Sequence, residues 1–157
     1  SLNENNLVKT VLSYDSLIFY IKNNKQIPCS YFKSHSEGDI KCPLERSIII
    51  NESGSFIIVK AMRLNQAFDS YPYFLCTFSK ESAEMTSFIP IGEEAEAVEP
   101  NVIRWEADNQ FKMIEYNYEF IEDEESGAYM RGKIKDSTVT EYKIDSMGGI
   151  SQLIDKK

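Results

Sequence analysis

Phe111-Lys-Met-Ile-Glu-Tyr-Asn-Tyr-Glu-Phe-Ile121 alternates apolar and polar side chains over most of its length. In an extended chain successive side chains point to opposite sides, so Ile114, Tyr116, Tyr118 and Phe120 share one face and Glu115, Asn117 and Glu119 the other. That period of two predicts an antiparallel strand with one face in a core and the other toward solvent or a partner. On its C-terminal side an acidic turn, Glu122-Asp123-Glu124-Glu125-Ser126-Gly127, leads to a strand over Ala128–Lys135. A turn at Asp136-Ser137 and a strand over Thr138–Ile144 follow. On its N-terminal side a turn at Ala107-Asp108-Asn109 joins it to Val102–Trp105, and the whole reads as a meander.

Further toward the N-terminus, Ser47–Asn51 and Ser55–Met62 are rich in β-branched residues. They flank Glu52-Ser53-Gly54, the pattern of a hairpin. Tyr71–Ser79 and Met85–Ile91 form a second pair, and Glu93–Pro100 is an acidic connector that Pro100 keeps from running smoothly into the next strand. Strands are thus expected across residues 47–144. The tail, 145–157, is broken by Met147-Gly148-Gly149 and offers Ile150–Ile154 as a short helix or strand.

Ahead of the strands the period changes. Leu7, Val11, Tyr14, Ile18 and Ile21 recur at helical spacing, with Val8, Leu12 and Leu17 widening the stripe, which predicts an amphipathic helix over 5–23. Pro28 ends it; a break near Ser13–Ser16, with Asp15 capping a shorter second helix, is the alternative. The expected class is α+β and β-dominated, with this helix packed on an antiparallel β-meander that forms a sheet, half-barrel or sandwich. At 157 residues the chain is expected to be a single domain over 1–157. Its 42% hydrophobic content suffices for a real core. No apolar run approaches the roughly 18 residues that a spanning helix needs.

Cys29 and Cys42 flank a polar stretch, the 29–42 loop, and a bridge between them would stabilise the fold by about 3 kcal/mol. That disulfide is the expected pairing, with Cys76 in a strand as a buried apolar side chain; three reduced thiols are the alternative. A bridge would favour a periplasmic or secreted address over a cytoplasmic one. The lack of an initiator Met before Ser1 points the same way if a signal peptide was removed, although removal of an expression tag gives the same start. Asn51-Glu52-Ser53 fits a glycosylation acceptor, relevant only to a secreted eukaryotic protein.

Enzyme chemistry finds little to use. The one histidine, His35, sits in a hydrophilic loop context. There is no Cys-x-x-Cys, no His pair at helical spacing and no glycine-rich phosphate cradle. The acidic run 122–125 lacks the alternating spacing of a calcium loop. No catalytic residue, cofactor or metal is therefore expected, and the chain is not expected to be an enzyme.

Charge placement says more than charge total. Residues 81–125 hold fourteen acids against two bases, Arg104 and Lys112, or −12 in a chain whose net charge is −8. Such a segment repels phosphates and anionic lipid and speeds encounter with a cationic partner. The expected function is that of a small acidic binding protein that neutralises or inhibits a basic protein, a toxin or hydrolase, as immunity proteins and inhibitors do. Its candidate contact residues are Glu93, Glu94, Glu96, Trp105, Glu115, Tyr116, Glu119, Glu122, Asp123, Glu124 and Glu125. The alternatives are a structural or surface module, such as the soluble part of a lipoprotein or a pilus-like assembly with the helix as stem, and a β-barrel that binds a small ligand. Nucleic acid is not an expected partner.

Overall fold

The computed structural model describes residues 13–32, 43–63, 70–95 and 98–154. Among these residues an α-helix, α1, spans Tyr14–Lys22. Ser13 caps it, its hydroxyl accepting the Ser16 amide at 3.1 Å, and Asp15 lies within the first turn rather than at the cap. Asn24, at φ 51°, turns the chain out of the helix. The part of the expected helix before Ser13 lies outside the described residues. Leu17 and Ile21, four apart and so on one face, are buried.

Among the described residues eight strands follow in two antiparallel four-stranded sheets, each a meander. The first holds β1 (Glu45–Glu52), β2 (Phe56–Met62), β3 (Tyr71–Ser79) and β4 (Met85–Glu94). The second holds β5 (Val102–Ala107), β6 (Gln110–Glu122), β7 (Tyr129–Ile144) and β8 (Ile150–Gln152). β2 is nearly continuous in apolar residues because both of its faces are covered. On one face Ile57, Val59, Cys76, Phe78 and Met85 cluster with Leu17, Ile21, Ile27, Tyr31 and Leu44. On the other, Phe56, Ile58, Leu75 and Ile91 meet Phe111 and Ile144 of the second sheet, with Ile103, Trp105, Met113 and Tyr142 half-buried around them. Each fully buried Leu, Ile or Phe contributes about 1.5–3 kcal/mol to these layers. Phe111 sits between rings, 5.0 Å from Trp105 and stacked on Tyr142 at 5.2 Å.

A polar tie also joins the sheets. The buried Thr77 hydroxyl donates to the Gly148 carbonyl at 2.5 Å. Gly148 has φ +88°, and a Cβ there would lie 3.3 Å from Phe56 and from Thr77. The Asp145 carboxylate holds this turn by accepting the Met147 and Gly149 amides, each at 2.9 Å. The chain then enters β8, so the tail resolves as a strand.

Three expectations need correction. Asp136-Ser137 is not a turn: β7 runs through it, with Ser137 opposite Tyr116 and Asp136 opposite Asn117. The Asn117 amide donates to the Asp136 carboxylate at 2.5 Å, so the polar pair serves a cross-strand contact. The core face of β6 is the one carrying Phe111 and Met113. Ile114 lies on the opposite face, buried between its strand neighbours Val102 and Val139. The Cys29–Cys42 bridge is not formed, for Cys29 is a free, exposed thiol on a single turn of 3-10 helix, Cys29–Tyr31, and Cys42 lies outside the described residues. Cys76 is also free, and burial pushes its thiol far up, so it acts as an apolar side chain.

Candidate functional site

The acidic connector between β4 and β5 is folded tightly. Ala95 and Val98 exchange backbone hydrogen bonds at 3.1 Å each, and the Asn101 amide donates to the Ile91 carbonyl at 2.9 Å. Gly92, at φ +89°, allows this return, because a Cβ there would lie 3.2 Å from the Asn101 nitrogen. Glu99-Pro100-Asn101 is thereby laid along the end of β4, with a recess on either side.

The first recess, of about 600 Å³, has Lys60, Tyr73, Glu94, Asn101 and Trp105 in its walls. The Lys60 ammonium sits 5.2 Å from the centre of the Tyr73 ring. The Tyr73 hydroxyl donates to the Glu94 carboxylate at 2.8 Å. Burial, and then the Glu94 hydrogen bond and charge, raise the Tyr73 pKa, so this phenol stays a donor.

The second recess, of about 330 Å³, is walled by Glu93 and Glu99 on one side and by Glu115, Tyr116, Tyr118 and Phe120 of β6 on the other. Arg131, on β7, touches two of these wall residues. Its guanidinium is 2.7 Å from the Glu99 carboxylate and 4.7 Å from the centre of the Tyr118 ring. Tyr116 and Tyr118 are themselves 6.3 Å apart. Glu99 borders both recesses as well as a smaller one shared with Glu94 and Arg131.

The residues singled out from the sequence fall into two groups. Glu93, Glu94, Trp105, Glu115 and Tyr116 line the paired recesses. Glu119 lies exposed further along β6, and Glu122 ends that strand. Asp123, Glu124 and Glu125 occupy the turn beyond. Asp123 is used structurally there: it accepts the Ser126 hydroxyl at 2.7 Å and the Glu125 amide at 3.4 Å, which holds its carboxyl below the ordinary range. Glu96 lies outside the described residues. Elsewhere in the segment Glu106 is neutralised by Lys112 at 3.2 Å.

Lys60, Tyr73, Glu99 and Arg131 were not legible as site residues. Arg131 stands alone in an unremarkable Tyr-Met-Arg-Gly context, whereas Tyr118 is legible from the sequence as an aromatic beside the acids that could serve either an interface or the core. Glu99, before a proline, carried the only usable signal, since it closes the acidic run.

Among the described residues no group of three or more His, Cys, Asp and Glu could hold a metal ion, and no helix is long and apolar enough to cross a membrane. His35 lies outside those residues. The chain matches no family model, and no curated protein or solved structure matches it.

Proposed function

We propose that this chain is a protein-binding module that captures a basic partner, as an inhibitor or immunity protein does, through the two recesses flanking Glu99-Pro100-Asn101. The observation that carries the reading is the meeting of Glu93, Glu94, Glu99 and Glu115 with Tyr73, Trp105, Tyr116 and Tyr118 around one short segment. Carboxylates accept charge-assisted hydrogen bonds from lysine and arginine, and aromatic faces attract the same cations. The four acids come from two stretches of the chain, residues 93–99 and β6, so their meeting is a product of folding. The acidic turn beyond β6 stands apart from it and acts at longer range, by steering. Nothing in this reading depends on a compartment, since the disulfide that favoured an address outside the cytoplasm is not formed.

Trp105 is the only tryptophan, and it lines the first recess. Titration with a basic peptide should therefore change its fluorescence, and the affinity should fall at least tenfold between 50 and 200 mM salt, as expected for screened charges. Replacing Glu93, Glu94 and Glu115 together by Gln should weaken binding by a similar factor at low salt. An affinity indifferent to salt and to these substitutions would falsify the electrostatic mechanism.

A second reading is favoured by the first recess alone. Its volume falls within the range of small-ligand sites, and Ile50, Val102 and Ile103 add apolar wall to Trp105. A small aromatic molecule that quenches Trp105 with equal strength in the Gln-substituted protein would favour this reading over the first.

A further inference from the structure

We infer that the second recess is a seat for an arginine side chain, and that Arg131 is a built-in stand-in which occupies the seat's edge in the free protein. The inference rests on the basic-partner reading and names the group that the partner presents. A guanidinium is planar, donates in a fixed fork and stacks on aromatic rings. It needs a carboxylate in hydrogen-bonding reach, a ring face and adjoining room. Glu99 at 2.7 Å and the Tyr118 ring at 4.7 Å supply the first two for Arg131. The recess beside them supplies the third, and it holds two further carboxylates, Glu93 and Glu115, with which Arg131 makes no ion pair.

The occupant is exchangeable. The Arg131 side chain is 36% exposed and that of Glu99 is 66% exposed, so the pair is hydrated and weakly held. A partner's arginine entering the recess keeps the Glu99 and Tyr118 contacts and adds Glu93 and Glu115, which Arg131 does not use. Displacement has a mechanical result, because the Arg131–Glu99 contact ties β7 to the β4–β5 connector. A bound arginine severs that tie.

The two halves of the ion pair therefore give opposite results. Calorimetric titration with a tetra-arginine peptide at low salt should show Arg131→Ala binding about tenfold more tightly than the unaltered protein. Glu99→Gln, which breaks the same ion pair but removes the acceptor, should bind about tenfold more weakly. Arg131→Lys should fall between Arg131→Ala and the unaltered protein, and a tetra-lysine peptide should bind each form less tightly than tetra-arginine. Thermal melts of all variants check that they are folded, and Arg131→Gln serves if Arg131→Ala is not. Binding detected only after Arg131 is replaced is the same result in stronger form. If the unaltered protein binds the peptide and Arg131→Ala binds no better, the stand-in is wrong while the basic-partner reading survives. If no form binds either peptide, both fall.

Discussion

Six of the seven side chains of β2 are buried, whereas from Glu115 to Glu122 of β6 and from Tyr129 to Val139 of β7 none is. Both regions belong to antiparallel meanders, and both carry large apolar residues. β2 has a strand on each side and a packed layer on each face. The outer half of the β6–β7 hairpin has no further strand beside it, for β5 pairs with β6 no further than Ile114, and β8 pairs with β7 only at Tyr142–Ile144. Phe120, Ile121, Tyr129, Met130 and Ile134 are each more than half exposed there. Strand pattern is thus a local property and burial a topological one: the same alternation gives a core in one place and an arm in the other. Two strands alone are marginal in water. The arm's own contacts, the Asn117–Asp136 hydrogen bond and Arg131 on Tyr118, are exposed ones.

Phe78 tests the difference between the two regions most directly. It is fully buried, 6.3 Å from the Phe32 ring, and Phe78→Ala should cost about 3–5 kcal/mol in denaturant unfolding. Loss of less than about 1 kcal/mol would mean that the helix-side layer is not a packed core. A pH titration probes the same layer with a smaller effect. Burial, and then the neighbouring Tyr20, push the Tyr31 phenol up to about 12. Its ordinary value is 10.0, so the folded state holds this proton more tightly than the unfolded chain does. The associated stability is complete below pH 10 and is lost as pH rises toward 12, by about 2 kcal/mol. Tyr31→Phe should flatten that part of the alkaline stability profile, and an unchanged profile would assign the loss elsewhere. The smallest effect belongs to the arm: Ile134→Ala should change stability by no more than about 0.5 kcal/mol. In hydrogen exchange, amides of the outer β6–β7 hairpin should exchange well before those of β2 and β3. Comparable protection in the two regions would show that the arm is no less stable than the core.

The sequence announces the strands well where their neighbours matter little. Phe56–Met62 is legible because a doubly covered strand must be apolar throughout, and Gly127 marks the end of the acidic turn by its φ of +69°. Legibility fails where the answer depends on a distant partner. Asp136-Ser137 resembles a turn until Asn117 is placed opposite it. The apolar face of β6 resembles a core face until the first sheet is found on the other side, against Phe111. The site shows the same division. Glu93, Glu94 and Glu115 stand out as charge, but Arg131 lies more than thirty residues from Glu99, and nothing local couples them. Sequence supplied Glu93, Glu94, Trp105, Glu115 and Tyr116; their juxtaposition with Glu99 and Tyr73 required the β4–β5 connector to fold back on β4.

Mechanically, the β6–β7 hairpin is a cantilever. Its root is clamped where Phe111, Tyr142 and Ile144 enter the inter-sheet core, and its free length from Glu115 to Glu122 is roughly 25 Å. The Arg131–Glu99 contact then acts as a strut set partway along the beam. Because that pair is exposed, it is a weak strut, and a modest chemical event at Glu99 would suffice to release a tip that carries four consecutive acids.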